Sequence, residues 1–255
     1  MPRIIKYIFY DILRTRFILL YTIFLFVITF ALFQLDNDSS KVIMSLMNIV
    51  LLAIPLASIV FTTIHFYNSY EFIELMLAQP VDRKVIYLSE YISVGLSLCF
   101  AYLIGVGVPI LIYGASSVSL TLLFSGLMLT LVFVSMAFLA SVLTRDKAKA
   151  IGLALLFWFY FCLIYDGLLL WIIYTFSDYP LEKVTLFLVA LNPIDLARIM
   201  MLLKLDISAL MGYTGAFYQQ FFGGLWGMTL AAGILVLWII LPLLAGTRIF
   251  IKKDL

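Results

Sequence analysis

The chain has 255 residues, of which 65% are hydrophobic and 12% are charged, and its formal net charge is +2. Ordinary soluble domains carry about 25% charged residues, so this composition excludes a soluble fold and favours a membrane protein. The small net charge gives no indication of nucleic-acid binding. With a single histidine, His65, the chain also has no His-His catalytic pair and no multi-histidine metal site.

Residues 1–16 predict an amphipathic helix in the membrane interface. Apolar residues recur about every four positions, opposite charged ones. The apolar positions are Ile4, Ile5, Ile8, Phe9, Ile12 and Leu13, and the charged ones are Arg3, Lys6, Asp11 and Arg14. No small-residue cleavage site follows the next apolar run, so we expect an uncleaved anchor rather than a signal peptide.

Six apolar runs are long enough to cross a bilayer as helices, which takes about 20 residues. They are Phe17–Leu35, Val42–Ile64, Tyr91–Tyr113, Val118–Leu143, Ala150–Phe176 and Leu225–Thr247. None alternates apolar and polar residues as the strands of a membrane barrel do. The sequence therefore predicts one all-α membrane domain over residues 1–255, with six transmembrane helices.

Basic residues are divided unequally between the two sides that these spans define. Twelve of the 16 Lys and Arg fall on the side of the termini and of the connections after the second and fourth spans. Cytoplasmic loops are enriched in Lys and Arg. We therefore expect both termini and the segment 65–90 in the cytoplasm, and the segment 177–224 on the external side.

The segment 65–90 concentrates charge between two apolar spans and predicts a helix–break–helix platform. Its first part can form about two turns of helix with Glu71 and Glu74 on one face. Pro80 ends that helix, because the residue before a proline avoids helical angles, and Asp82 can cap a second helix that leads into the third span. A solvated loop is the alternative, but the many aromatic and aliphatic residues favour a docking surface for a soluble partner.

The long external segment 177–224 contains another helix signal. Asn192, Pro193 and Asp195 are the residue types that helices prefer at the N-cap, the first and the third positions. Asp195 and Arg198 then form a narrow polar stripe on an otherwise apolar surface. We expect this amphipathic helix to lie flat in the interface on the external side of the membrane.

Asp166 is an acidic residue inside a predicted span, where a charge costs about 2.5–3.5 kcal/mol. Two interpretations stay open: a polar contact at a helix interface, or a role in cargo binding or coupling. Cys99 and Cys162 lie in different spans and are interpreted as free thiols, and His65 as a polar cap where the second span ends. The ten methionines are interpreted as packing residues, so the sequence predicts no metal site.

Six spans, an interfacial N-terminal helix, and the stretches YE and LAQPVDR between the second and third spans resemble exporter-type ABC transporter permeases. This resemblance implies a non-enzymatic transmembrane subunit of the bacterial inner membrane whose cytoplasmic segment is a coupling helix. ATP and Mg²⁺ would bind to a separate ATPase chain, in keeping with the missing P-loop, and this chain would hold no cofactor. The residues implied in ATPase coupling are Tyr70, Glu71, Glu74, Gln79, Pro80, Asp82, Arg83, Arg145 and Lys147.

A narrower resemblance rests on LNPIDLAR at residues 191–198 and MGYTG at residues 211–215. These stretches are similar to the permeases of nitrous oxide reductase maturation complexes. That resemblance implies a homodimer with two copies of the ATPase and a periplasmic, copper-handling NosD-like protein docked on the external segment. The complex would serve assembly of the reductase's copper centre. The residues implied in this docking are Asn192, Asp195, Arg198 and Tyr213.

Other functions stay open beside this one. An ABC exporter for a lipid, drug or peptide would keep the coupling segment but use the external segment as a gate. A channel or secondary transporter without an ATPase would have internal repeats and more intramembrane polar groups than Asp166, and the sequence has no such repeat. An intramembrane enzyme is the least supported class, because nucleophile–base pairs are missing.

Overall fold

A computed structural model describes residues 2–36, 38–176, 182–204 and 225–252, and within these ranges the regular structure is entirely helical. In chain order the helices are α1 (Pro2–Leu13), α2 (Arg16–Leu35), α3 (Ser39–Asn68), α4 (Tyr70–Leu77), α5 (Arg83–Tyr102), α6 (Val108–Tyr113), α7 (Ser117–Leu143), α8 (Lys147–Phe159), α9 (Tyr165–Thr175), α10 (Glu182–Ala190), α11 (Pro193–Lys204) and α12 (Leu225–Lys252). A π turn, Leu103–Gly107, joins α5 to α6, and another, Tyr160–Ile164, joins α8 to α9.

Six helical stretches in the described part of the chain are long and apolar enough to cross a membrane. They are α2, α3, α5 continued through α6, α7, α8 continued through α9, and α12. The predicted all-α membrane fold with six spans is therefore confirmed. Several spans extend beyond their apolar runs, since the third begins at Arg83 and the sixth ends at Lys252. Backbone hydrogen bonding continues a helix through charged residues that the hydropathy pattern leaves out.

Side-chain contacts identify the helix ends that lie together. At one end of the bundle, the Tyr67 hydroxyl at the end of α3 lies 2.9 Å from Thr144 Oγ1 just after α7. The helices α1 and α4 and the start of α5 lie at this end as well. It is termed the basic end, because most of the Lys and Arg residues lie on this side. At the opposite end, Gln34 of α2 donates to the Tyr113 hydroxyl of α6.

The helix α7 lies at the centre of the bundle and packs against α3, α5, α8, α11 and α12. Its apolar residues cover all sides, as expected for a fully buried helix. Phe138 makes edge-to-face ring contacts with Phe66, Tyr87 and Tyr91 at centroid distances of 5.5, 5.4 and 5.7 Å. Such pairs contribute about 0.5–1.5 kcal/mol each beyond their buried area, so they help to hold α3 and α5 against α7.

The third span approaches its neighbours along a row of small residues. Ser93, Ser97, Ala101 and Gly105 recur every four positions, which predicts a face for close helix packing, and all four are buried. A Cβ atom on Gly105 would lie 2.7 Å from Leu25 Cβ of α2. The prediction is confirmed: α1 covers one end of this row and α2 the other.

The helix pair α10–α11, termed the hairpin, differs from the predicted surface helix. The two helices are bent by 113° against each other, and α11 packs against α7, α12 and α3. Ten of its 12 residues are buried. The predicted start of α11 is correct. The helix is enclosed by other helices, and its polar stripe is hydrogen-bonded by protein groups.

Candidate functional site

The predicted coupling residues gather at the basic end, where α4 forms an exposed platform. Ile73 is buried and anchors the helix, and Tyr70 is half-buried at its start. Glu71, Glu74 and Leu75 are exposed, Leu75 by 67%. Their spacing of three and four residues places them on one side of the helix. This side therefore presents two carboxylates beside a bare apolar side chain.

The connection from α4 to α5 contains the predicted break. Gln79 and Pro80 are both exposed where the chain turns. Asp82 precedes α5, as predicted, but its side chain makes no capping hydrogen bond. Its carboxylate is exposed instead and adds negative charge to the platform. Arg83 is half-buried, and its Nη1 donates to the carbonyl of Ile251 at 3.2 Å, which ties the start of α5 to the end of α12.

The second predicted contact, the turn after α7, meets the platform at the end of α3. Lys147 Nζ donates to Asn68 Oδ1 at 2.8 Å across 79 positions of sequence, and Arg145 is exposed nearby. The Tyr67–Thr144 contact supports the same junction. The exposed surface of these segments is termed the docking face, and it consists of Glu71, Glu74, Leu75, Gln79, Pro80, Asp82, Arg145 and Lys147.

The sequence pattern does not single out Tyr67 and Asn68. It predicts Leu75 on a different face from Glu71 and Glu74, whereas in the structure Leu75 is exposed beside them. The position of Leu75, four residues after Glu71, was a usable signal, because an apolar residue on a charged helix face needs an explanation. Tyr67 and Asn68 had no comparable local signal. Their relevance comes from contacts with residues far away in the chain.

The predicted external residues form a hydrogen-bond network at the tip of the hairpin. Asn192 caps α11, as predicted, because its Oδ1 accepts from the Ile194 N–H at 3.0 Å. Its Nδ2 donates to Asp195 Oδ2 at 2.8 Å and to the carbonyl of Phe161 at 2.9 Å. Phe161 belongs to the π turn near the middle of the fifth span, so the tip of the hairpin reaches deep into the bundle.

Side chains from two neighbouring spans hold the end of α10. The Tyr165 hydroxyl of α9 donates to the carbonyl of Leu188, and Trp238 Nε1 of α12 donates to the carbonyl of Ala190 at 3.2 Å. The last carbonyls of a helix have no partner within it, and bare carbonyls at membrane depth are costly. These two donors explain how a bent helix pair can lie inside an apolar bundle.

Asp166 joins the network from the fifth span. Arg198 Nη1 donates to Asp166 Oδ2 at 3.0 Å and to Asp195 Oδ1 at 2.8 Å. Asp166 therefore makes a polar contact at a helix interface, the first of its two interpretations. Arg198 and Asp166 are each exposed by about a third, 34% and 31%, in a cavity of about 290 Å³ with apolar walls that include Leu170 and Val189.

This network changes what the predicted partner-binding residues can do. Asn192 and Asp195 are buried, so their side chains do not face an external protein in this arrangement. Arg198 is engaged by two carboxylates, and Tyr213 lies outside the described residues. The exposed large apolar residues of the hairpin are Val184, Phe187 and Leu191.

Potential metal ligands are not clustered in the described ranges, where no group of three or more His, Cys, Asp or Glu could hold a metal ion. Cys99 and Cys162 are free and partly buried. His65, interpreted from the sequence as an interfacial cap, lies in the last turn of α3 and is buried beside Glu90 of α5.

Six helices that can cross a membrane, a charged docking face at one end and an inserted helical hairpin together define a multi-pass membrane protein. The family model of the ABC-2 family transporter proteins matches residues 47–255. The chain belongs to this family and is thus a permease, or transmembrane, subunit of an ABC transporter.

Two relatives carry the name probable ABC transporter permease protein NosY. The protein from Pseudomonas aeruginosa is 32% identical over 145 residues, which cover 53% of this chain and 53% of the relative. The protein from Stutzerimonas stutzeri is 33% identical over 135 residues, which cover 49% of each chain. The chain thus spans about half the length of the relatives it matches.

Proposed function

We propose that this chain receives the motion of a separate ABC-type ATPase at the docking face and passes it to the opposite side of the membrane. The exposed Leu75 beside Glu71 and Glu74 is the observation that carries the proposal. A lipid surface does not suit this side of α4, because the negative surface potential of the cytoplasmic leaflet repels carboxylates. A soluble protein with an apolar pocket and basic rim fits both the leucine and the two acids.

The connections of the docking face support a role in force transmission. The helix α4 follows α3 directly through Ser69. Lys147, the first residue of α8, bonds to the end of α3. Tyr67 of α3 contacts Thr144 just after α7, and Arg83 bonds α5 to α12. A partner that displaces α4 therefore acts on five spans, including the central helix α7. ATP and Mg²⁺ are bound by that partner in this proposal and not by this chain.

In the same proposal, the basic end and both termini lie in the cytoplasm of a bacterium, and the chain resides in the inner membrane. The enrichment of Lys and Arg at this end supports the orientation. We further infer a homodimer with two ATPase copies from the resemblance to exporter-type permeases. In the most apolar part of the fifth and of the sixth span, 17% of the residues are buried within one chain, which leaves surface available for a second copy.

The finer part of the proposal concerns the process that the complex serves. We infer maturation of the copper site of nitrous oxide reductase, with a periplasmic, copper-handling NosD-like protein on the external side. The resemblance of LNPIDLAR at residues 191–198 and the names of the two relatives support it. Phe187 and Leu191 of the hairpin offer exposed apolar side chains to that protein.

Charge reversal on the docking face tests the proposal. In the Glu71→Lys/Glu74→Lys variant we expect the co-expressed ATPase to dissociate, because like charges across a complementary interface cost several kcal/mol. Lys41→Glu, which reverses an exposed charge at the other end of α3, is the control. Co-purification of the ATPase and its ATP turnover are the two readouts. Unchanged assembly and turnover in the double variant contradict the proposal.

Export of a lipid, drug or peptide is a second candidate function, and the cavity between α9 and α11 favours it. Its apolar walls and its charged Arg198–Asp166 base suit an amphiphilic molecule, and its volume of about 290 Å³ is near the lower bound of small-molecule sites. Mass spectrometry of molecules that co-purify with the gently solubilised complex separates the two functions. A co-purifying amphiphile that is also exported supports the exporter. A periplasmic protein partner without an exported solute supports maturation.

A further inference from the structure

Behind the docking face, His65 of α3 and Glu90 of α5 form a buried pair. His65 Nε2 lies 3.4 Å from Glu90 Oε2, and the two side chains are 9% and 2% exposed. His65 lies about one turn before the end of α3, and Glu90 about two turns after the start of α5. The pair therefore connects α3 and α5, the helices that precede and follow α4 in the chain.

The polar atoms of this pair have few hydrogen-bond partners for side chains that are so deeply buried. Neither carboxylate oxygen of Glu90 has a hydrogen-bond partner among the described residues, although a buried carboxylate without donors is costly. Replacing both partners of a buried polar pair by apolar groups of similar shape is often nearly neutral or stabilising. Stability alone therefore does not explain why a histidine and a glutamate occupy these positions.

His65 has a second neighbour on the side of the docking face. Its Nε2 lies 3.3 Å from Ser69 Oγ, and the Ser69 N–H donates to the His65 carbonyl at 2.9 Å. Ser69 immediately precedes α4, and its own carbonyl accepts from the Ile73 N–H at 2.9 Å. One imidazole N–H cannot serve both Ser69 and Glu90 at full strength, and both distances are longer than that of an optimal hydrogen bond.

We propose that His65 is a positioning residue that links α4 to α5 by exchanging its Nε2–H between Ser69 and Glu90. When α4 moves away from the bundle, Ser69 moves with it and the N–H turns to Glu90. When α4 returns, Ser69 accepts it again. The His65 ring stacks on Phe61 at 5.8 Å, and Phe61 stacks on Phe17 at 4.7 Å, which limits the ring to small movements between the two acceptors. The inference rests on the proposed function for the identity of the partner that moves α4.

Hydrogen–deuterium exchange of the full chain in lipid nanodiscs tests the link without an ATPase. In the His65→Phe/Glu90→Leu variant, which leaves no charge unpaired, we expect α4 amides to exchange about two- to tenfold faster, as for the loss of one ordinary hydrogen bond. The melting temperature should not fall. The His65→Gln variant keeps an N–H donor near the position of Nε2 and should retain the native exchange rate. Ser97→Ala, a buried change on α5 where the hydroxyl donates within its own helix, is the control.

Two results of this experiment overturn the inference. The first is a native exchange rate of α4 in the double variant. The second is a lower melting temperature with faster exchange in every helix, because the pair would then have a purely structural role. With the co-expressed ATPase, the double variant should keep the ATPase bound and lower ATP turnover at least about fivefold, and unchanged turnover overturns the coupling role. An ATPase that fails to bind the native chain contradicts the proposed function and leaves the exchange result valid.

Discussion

Arg198 donates from Nη1 to Asp166 Oδ2 at 3.0 Å and thereby fixes the hairpin to the fifth span. The same nitrogen donates to Asp195 Oδ1 at 2.8 Å, so one cation stands between two carboxylates. Loss of the cation leaves two acids facing each other, whereas loss of Asp166 still leaves a paired acid and base. The three side chains are therefore unequal in what they contribute to stability.

We expect Arg198→Gln to destabilise the chain by about 1–3 kcal/mol, the cost of leaving partly buried charged groups without their partner. Asp166→Asn should cost less than about 1 kcal/mol, because the Asp195–Arg198 pair remains and this site is partly exposed. Thermal unfolding in nanodiscs measures both, and Arg198→Lys, which keeps the charge, is the matched control. A larger loss for Asp166→Asn than for Arg198→Gln would show that the hairpin is held in another way.

Asn192 caps the start of α11 and also bonds to the fifth span. The loss of stability should therefore depend on how many of these bonds the replacing residue keeps. Asn192→Ala removes the cap and the bond to the Phe161 carbonyl and should cost about 1–3 kcal/mol. Asn192→Ser keeps an oxygen for the cap and should lose about half as much. Hydrogen exchange of the α11 amides provides the measurement. Equal protection of the two variants would exclude a contribution from the cap.

The close approach of α2 to the third span makes Gly105 sensitive to size. An added Cβ would lie 2.7 Å from Leu25 Cβ and 3.1 Å from the carbonyl of Thr22, so Gly105→Ala should cost about 1–3 kcal/mol through overpacking. Gly167, where a Cβ meets nothing within 4 Å, is the control. Gly167→Ala should be neutral or stabilise by up to about 1 kcal/mol. The difference between the two melting temperatures tests this, and equal values contradict the described contact.

Leu75 should matter for partner binding and not for folding. Because 67% of the side chain is exposed, Leu75→Ser should leave the melting temperature unchanged. If the leucine fills a pocket on the ATPase, the same change should weaken the complex by about 2 kcal/mol or more. Leu35→Ser, at a position 81% exposed at the opposite end of the bundle, is the control. Native affinity of Leu75→Ser for the ATPase would exclude α4 as the contact.

The orientation of the chain in the membrane can be measured with single cysteines in a Cys99→Ala/Cys162→Ala background. Lys84→Cys at the basic end and Asp36→Cys at the other end are both exposed positions. A membrane-impermeant maleimide should label Asp36→Cys in intact cells and label Lys84→Cys after permeabilisation. Labelling of Lys84→Cys from outside would reverse the proposed topology.

The sequence by itself determined where the six spans run, where α4 is interrupted and where α11 begins. Apolar runs set the six spans, Pro80 set the break after α4, and Asn192 with Pro193 set the start of α11. Each of these signals acts within a few residues, through backbone sterics, capping and hydropathy. The small residues that recur every four positions in the third span belong to the same class, because helical periodicity alone brings them to one face.

Only the tertiary structure decided what the charged and polar side chains do. Arg198 meets Asp166 across 32 positions, and Lys147 meets Asn68 across 79, which no local pattern contains. The polar stripe of α11 has the same sequence pattern whether it faces water or another helix. Which of the two occurs depends on partners supplied by distant segments, because a buried polar group is tolerated where it is hydrogen-bonded and costly where it is not.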